Sequence, residues 1–334
     1  MVVIPRKYEF VGEVPSSAQI PTNVPAEGLK FTTQYASVGL IAFDVLGYLD
    51  GMNEKGLAFG AFYFPTFAKY PQITSENVAK ALSPSQFGNW VLGQFATVAE
   101  VKEAIKNGEV VIANTPVEGF GDEAPPFHYV VYDTSCTRNP RSDTSPCINS
   151  IVIEPLNGEL VVHDNPLGVV TNSPDFSWHM TNLRNYIALN ALNVPEIKVN
   201  GTTFTQVGQG TGLLGLPGDF TPPSRFVRAA VFSASAKPSE NAREGIEQVF
   251  HILNNFDIPL GAARAIDDAG NQHYDYTIIT TARDPQSLRY YYKTYEDQTL
   301  RMVNLNQFDL DAPQVKKLKT NTDQPIINMS KKLQ

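Results

Sequence analysis

Asn172 is the residue whose type and setting are best suited to chemistry. An apolar, β-branched run ends at Asn172, and Ser173-Pro174 is typical of a helix N-cap followed by proline at the first helical position. The sequence therefore predicts that the Asn172 side chain lies between a strand end and the positive end of a helix. An amide N–H in that setting could stabilise a developing oxyanion. The alternative, which the pattern alone favours, is that Asn172 only caps the turn.

No other catalytic pattern stands out. The sequence has no Gly-x-Ser-x-Gly elbow, no His-Glu-x-x-His pair and no Walker loop. Gly210, Gly212 and Gly215 match a bare Gly-x-Gly-x-x-Gly, but Pro217-Gly218 follows where a dinucleotide site needs a helix. We interpret that segment as a structural loop. The scattered histidines are interpreted as packing or surface residues: His128, His163, His179, His251 and His273.

The two cysteines, Cys136 and Cys147, both lie in a polar insertion loop over residues 134–149. Two thiols in a Pro- and Ser-rich loop suit a disulfide, which would imply an oxidising compartment. Two free surface thiols are an equally good interpretation. No histidine or third cysteine lies at metal-ligand spacing, so we expect no metal and no cofactor.

Charge and hydropathy exclude several classes of function. The 334 residues carry a net charge of −8, and 42% are hydrophobic, which is ordinary for a folded chain. The acidic balance supplies no basic face, so we expect no nucleic-acid partner. No apolar run reaches the roughly 18 residues of a membrane span, so we expect no membrane partner. The segment Met1–Arg6 does not resemble a signal peptide, which favours the cytoplasm unless a leader precedes it.

Hydrophobic periodicity predicts strands and helices in alternating blocks. Strands are predicted over 2–13, 29–49, 57–64, 127–133, 150–155, 158–163, 274–281, 287–294 and 298–303. Helices are predicted over 83–107, 176–192, 224–234 and 239–255, with Ser239 as the N-cap of the last. Thr97 and Glu100 form a capping box, and Asn157-Gly158 is a two-residue hairpin turn. Hairpins rather than regular strand–helix crossovers predict an α+β fold of stacked antiparallel sheets covered by helices.

Several collinear motifs give the chain a resemblance to a known family. They are Asp50–Leu57, Phe62–Pro65, Ser83-Pro84 with Gly88–Trp90, Asp164–Pro174, Leu216–Asp219 and Ser224–Phe226. In these segments the chain resembles the choloylglycine hydrolase family, which comprises bile salt hydrolases and penicillin V acylases. The resemblance extends over residues 1–334 and implies a single domain, a four-layer αββα sandwich of the N-terminal-nucleophile (Ntn) hydrolase type. It also implies a homotetramer that cleaves a small-molecule acyl amide at its linear C–N bond.

The resemblance also implies roles for particular residues. Asn172 would be an oxyanion donor, and Arg225 would be the active-site arginine that orients polar groups around the nucleophile. Tyr63 occupies a position where penicillin V acylases resemble this chain and bile salt hydrolases tend to carry asparagine, which favours an acylase-like specificity. Conjugated bile salts and acyl homoserine lactones are alternative substrates. An aromatic cluster could line the acyl pocket, although strand aromatics are often core residues: Phe59, Phe62, Phe64 and Phe67.

The chain departs from the family at its beginning. The family opens with a nucleophilic cysteine, followed by an arginine and an acidic residue, and then reaches a strand similar to Val2–Arg6. Because Cys136 is not followed by an apolar strand, we do not assign it as the nucleophile. We therefore expect the 334-residue chain to be a truncated form of an active enzyme and inactive by itself, with a periplasmic or secreted location if a leader is also missing. The alternative is a catalytically inactive relative that binds acyl amides or a protein partner.

Overall fold

Strands and helices alternate in blocks along the chain. The computed structural model describes residues 1–21, 24–117, 120, 123–135, 149–267, 269–320 and 323–332. The strands are β1 Val2–Ile4, β2 Glu9–Val11, β3 Lys30–Thr32, β4 Ser37–Leu40, β5 Asp50–Asn53, β6 Ala58–Tyr63, β7 Ala81–Leu82, β8 Val111–Ile112, β9 Phe127–Tyr132, β10 Ser150–Leu156, β11 Glu159–Asp164, β12 Ile197–Val199, β13 Thr202–Phe204, β14 Ala263–Ile266, β15 Gln272–Asp275, β16 Ile279–Asp284, β17 Arg289–Thr294, β18 Arg301–Asn304 and β19 Lys316–Lys317. The α-helices are α1 Phe87–Gln94, α2 Val98–Lys106, α3 Phe176–Asn182, α4 Pro222–Ser235 and α5 Ala242–Leu253. Short 3₁₀ helices span Val78–Lys80, Leu183–Tyr186, Thr211–Leu213, Asn254–Phe256, Leu305–Gln307 and Ser330–Lys332.

An eight-stranded sheet forms the centre of the fold, with the strand order β11-β10-β9-β6-β5-β4-β1-β19. Every neighbouring pair in it is antiparallel. The hairpin between β10 and β11 turns at Asn157 and Gly158, which both adopt positive φ angles (54° and 86°) as a tight two-residue turn requires. The predicted hairpin is therefore confirmed.

Both faces of this sheet are buried, because successive strand residues point in opposite directions. Phe59 packs on one face in a core that also contains Trp90 of α1 and Val101 of α2. Its neighbour Ala58 packs on the other face, against Tyr290 of the three-stranded sheet β16-β17-β18. The large sheet is thus covered by helices on one side and by a second sheet on the other.

The outer face of the small sheet carries the fourth layer. Ile246 and Phe250 of α5 pack against Ala282 of β16. The layers follow the order α1/α2, large sheet, small sheet, α5, which is an αββα sandwich. The predicted α+β class and the layer order implied by the family resemblance are both confirmed.

Two predicted helices are shorter than expected. The segment 83–107 forms two helices, because α1 ends at Gln94 and a new N-cap at Thr97 starts α2. The Thr97–Glu100 capping box is confirmed, with both reciprocal hydrogen bonds present. The helix predicted over 176–192 ends at Asn182 and continues only as a 3₁₀ turn. Ile187, which lies within the predicted helix, is 86% exposed.

Other element boundaries in the structure also differ from the predicted ones. The N-cap of α5 is Asn241, whose side chain accepts a hydrogen bond from the Glu244 amide, rather than Ser239. The strand predicted over 274–281 divides into the end of β15 and the start of β16. Within the described residues, no helix is both long enough and apolar enough to cross a bilayer.

Candidate active site

The side chain of Asn172 joins two distant parts of the fold. Its Nδ2 donates to the carbonyl oxygen of Tyr63 at 2.6 Å, and its Oδ1 accepts from Nη2 of Arg225 at 2.7 Å. Tyr63 ends β6, and Arg225 lies in the first turn of α4. The structure therefore brings together the three residues that the family resemblance singles out, although for Tyr63 the contact is made by its main chain.

The turn after Asn172 differs from its predicted form. Ser173 does not cap α3, because its hydroxyl donates to the Pro65 carbonyl at 2.8 Å. The N-cap is Asp175, whose carboxylate accepts from the Trp178 amide at 3.0 Å. Residues 172 and 173 are thus both bound to the segment Tyr63–Pro65, so the end of β6 and the start of α3 are held in one position.

Arg225 is held at both ends of its guanidinium. Its Nε donates to the Phe220 carbonyl at 2.8 Å, while Nη2 binds Asn172. Burial lowers the pKa of Arg225, and the nearby charge of Arg228 lowers it further. A guanidinium nevertheless stays protonated at physiological pH. Arg225 therefore supplies a fixed positive charge beside the Asn172 amide.

Two histidines bind the main chain around Asn172. Nε2 of His128 lies 3.0 Å from the Thr171 carbonyl oxygen, and Nε2 of His179 lies 2.9 Å from the Asn172 carbonyl oxygen. Both side chains are buried, at 1% and 2% exposure. Burial is the main reason that the pKa of His179 is lowered, so this imidazole is neutral near pH 7. Our sequence analysis assigned both residues to packing or the surface and did not connect them with Asn172.

Glu154 is a fully buried carboxylate next to these histidines. Its Oε1 lies 3.1 Å from Nδ1 of His128 and accepts from the Phe176 amide at 3.0 Å. Nε2 of His163 lies 3.3 Å from Oε2. Burial raises the pKa of Glu154, but the interactions with His128 and His163 lower it by more, so the net pKa is below its ordinary value. Sequence analysis missed this residue, although an acidic residue after Ile151–Ile153 in a buried strand was a usable signal.

The lowered pKa of Glu154 predicts an acid-sensitive stability. A carboxyl whose pKa is lower in the folded state stabilises the fold above its unfolded pKa, and that contribution is lost as the pH falls through the folded pKa. We expect the free energy of unfolding to decrease as the pH falls below 4.5, the ordinary value for the group. Urea unfolding between about pH 3 and 6 measures this. The decrease should be smaller in Glu154→Gln, and equal slopes for both proteins would contradict the prediction.

The candidate aromatic pocket residues separate into two groups. Phe59 and Phe64 are 0% exposed and pack in the interior, so the core alternative describes them better. Phe62 and Phe67 are half-buried. Tyr63 is 52% exposed and lines a cavity of about 470 Å³. Further residues that line this cavity are Pro65, Tyr70, Asn114, Glu123 and Pro126.

A larger groove of about 990 Å³ lies elsewhere, between α2 and the β10–β11 hairpin. Lys102 and Lys106 of α2 and Leu160 of β11 contribute to its walls. None of Asn172, Arg225 and Tyr63 lines it. Size alone therefore does not identify the candidate site. The smaller cavity is lined by Tyr63 and Pro65, whose carbonyls bind Asn172 and Ser173.

The structure places neither a cysteine nor a metal cluster at this site. Cys136 and Cys147 lie outside the described residues, and the described part of the chain contains no cysteine. It also contains no group of three or more His, Cys, Asp or Glu side chains arranged to hold a metal ion. The described groups at this site are the Asn172 amide, the Arg225 guanidinium and the Tyr63 carbonyl.

Comparison with known sequences places the chain in a family. A family model described as linear amide C-N hydrolases, choloylglycine hydrolase family, matches residues 11–318. The bile salt hydrolase/transferase of Clostridium perfringens is 36% identical over 325 residues, covering 96% of this chain and 88% of that protein. The penicillin V acylase of Pectobacterium atrosepticum is 26% identical over 298 residues, covering 84% of this chain and 69% of that protein.

Solved structures agree with the sequence relatives. A mutant of the conjugated bile acid hydrolase from Clostridium perfringens superposes with a TM-score of 0.76 at 33% identity, covering 98% of this chain and 91% of that chain. The penicillin V acylase from Agrobacterium tumefaciens gives a TM-score of 0.69 at 25% identity, covering 94% and 81%. Together with the four layers, these likenesses show an Ntn-hydrolase fold. The chain belongs to the choloylglycine hydrolase family of linear amide C–N hydrolases.

Proposed function

We propose that this protein is a linear-amide hydrolase in which Asn172 stabilises the oxyanion and Arg225 holds Asn172 in place. The observation that carries the proposal is the hydrogen-bonded chain from Arg225 through Asn172 to the Tyr63 carbonyl, found in a member of an amide hydrolase family. The Asn172 amide has two N–H groups. One binds Tyr63, and the other is the candidate donor to the oxyanion.

The proposed reaction proceeds through a thioester. A cysteine thiolate attacks the amide carbonyl carbon, and the carbonyl electrons move to oxygen, where the Asn172 N–H stabilises the negative charge. The C–N bond then breaks, and the amine leaves with the proton that the cysteine thiol gave up when it became a thiolate. Water finally hydrolyses the thioester to the free acid. Cys136 and Cys147 are not proposed as the nucleophile, so the 334-residue chain by itself is proposed to be inactive.

We propose an acylase-like substrate with an aromatic or aliphatic acyl group, of the kind present in penicillin V. The half-exposed ring of Tyr63, whose carbonyl binds Asn172, lines the cavity of about 470 Å³, where it could contact an apolar acyl group. Conjugated bile salts are the second candidate. The 36% identity to a bile salt hydrolase/transferase, against 26% to a penicillin V acylase, favours that alternative.

Assays with the two substrate classes test the proposal. The product of the complete gene and the 334-residue chain are each incubated with penicillin V and with taurocholate, and release of 6-aminopenicillanic acid or taurine is measured. We expect the gene product to hydrolyse penicillin V and the 334-residue chain to hydrolyse neither substrate. Hydrolysis of taurocholate but not penicillin V by the gene product would overturn the acylase-like specificity in favour of the second candidate. Binding of intact substrate without hydrolysis by either protein would favour the catalytically inactive relative. Hydrolysis by the 334-residue chain would overturn its proposed inactivity.

A further inference from the structure

The peptide units on both sides of the Asn172 Cα are each bound by an imidazole. His128 binds the carbonyl of Thr171, and His179 binds the carbonyl of Asn172 itself. His128 lies on β9 and His179 on α3, 43 and 7 residues away from the carbonyls they bind. The main chain of Asn172 is thus held before and after its Cα, from two different elements.

The protonation of the two rings follows from their partners. A carbonyl oxygen can only accept, so Nε2 of each histidine must carry the proton that it donates. Nδ1 of His128 faces Glu154, whereas Nδ1 of His179 is buried without a hydrogen-bond partner among the described residues. An unprotonated Nδ1 suits that environment better than a buried N–H without an acceptor. Both rings are therefore fixed as Nε2 donors toward the Asn172 backbone.

Ring stacking fixes the orientation of both histidines. His128 stacks on Phe64 with a centroid distance of 4.3 Å and an interplanar angle of 1°. His179 stacks on Phe226 at 4.7 Å and 16°. Phe64 directly follows Tyr63, and Phe226 directly follows Arg225. Each histidine therefore connects the Asn172 backbone with the segment that carries one of the two hydrogen-bond partners of the Asn172 side chain.

We propose that His128 and His179 are positioning residues that fix the Asn172 amide for the oxyanion, and that Glu154 in turn fixes His128. This inference rests on the proposed role of Asn172. None of the three side chains is proposed to touch the substrate. Their effect is to keep the Asn172 N–H at one location, because a misplacement of about 1 Å can lower the rate roughly 100-fold.

A double-mutant cycle tests the proposal in the active gene product. His128→Leu and His179→Leu should each lower kcat roughly 10- to 100-fold while KM changes little, since the lost interaction acts in the transition state. His179→Gln should recover part of the loss, because its amide can donate near the Nε2 position. In the Asn172→Ala background, removal of either histidine should cause little further loss of kcat. A general structural role would instead multiply the two effects, and that outcome would overturn the proposal.

Two further measurements separate this inference from the proposed function. If Asn172→Ala alone leaves kcat unchanged, the oxyanion role fails whatever the histidine variants do. The side-chain NH₂ resonances of Asn172 report its position without any turnover, and they should shift or broaden in both His→Leu variants. Unchanged resonances would overturn the positioning role. Tyr48→Phe is the control, because it removes a buried hydrogen bond to Ser37 at 3.0 Å without touching the site.

Discussion

Replacing Asn172 with alanine should lower kcat by about 10²- to 10³-fold in the active protein, equivalent to roughly 2.7–4 kcal/mol of transition-state stabilisation. The substitution removes the amide donor proposed for the oxyanion and leaves Nη2 of Arg225 without its 2.7 Å acceptor. KM should change much less, because the substrate carbonyl carries little negative charge before attack. Steady-state kinetics on the substrate identified by the release assays measures both constants.

Two control variants test whether the loss of kcat in Asn172→Ala is due to the loss of the amide N–H donor. Asn172→Asp keeps the size of the side chain and its contact with Arg225 but has no N–H, so it should be about as slow as Asn172→Ala. Asn77→Ala applies the same truncation outside the polar cluster, on the larger groove, and should leave kcat unchanged. Normal turnover by Asn172→Ala would return Asn172 to the alternative role of a turn residue.

The sequence drew attention to Asn172 as a candidate because the signal is local. The end of an apolar run, a turn and the start of a helix are all contained within a few residues of Asn172. Arg225 and Tyr63 came from the family resemblance, and the structure adds that their contacts with Asn172 span 53 and 109 residues of the chain. No periodicity in one segment can predict contacts of that range.

The supports of the site were missed for the same reason. Glu154 and His128 lie 26 residues apart on neighbouring strands, and each looks like an isolated polar residue in its own segment. The helix after Asn172 was predicted with the wrong N-cap, because Ser173 and Asp175 are both good capping residues. The tertiary contact of the Ser173 hydroxyl with Pro65 decides between them.

A strand with two apolar faces indicates that its sheet is covered by another layer on each side. Ala58 and Phe59 are adjacent and both buried, which fits a strand between two packed layers. The polar contacts between the layers could not be predicted in this way, because no sequence periodicity marks the residues that form them. Asp50 lies just after the strand predicted over 29–49, yet in the structure it begins β5 and forms an ion pair with Arg283 of the second sheet.

Replacing Asp50 with alanine should destabilise the fold by about 3–5 kcal/mol, because it leaves a buried guanidinium without its counter-ion. Asp50 belongs to the large sheet and forms an ion pair with Arg283 of the small sheet. Arg283 also donates to the Tyr132 hydroxyl at 2.9 Å, and Tyr290 donates to Asp50. Burial lowers the pKa of Arg283, as expected for a charge held away from water. Urea unfolding at pH 7 measures the loss.

A double variant separates the effect of removing one charge of the ion pair from the effect of removing both charges. In the double variant Asp50→Leu with Arg283→Met, no buried charge remains, so much of the stability lost in Asp50→Ala should return. Glu247→Ala breaks the exposed pair with Arg243 on α5 and should change the free energy of unfolding by only about 0.5 kcal/mol or less. If Asp50→Ala were as mild as Glu247→Ala, solvent would have to reach Arg283 between the two sheets. The contact of Asp50 with Arg283 and Tyr290 would then contribute little to the stability of the packed sheets.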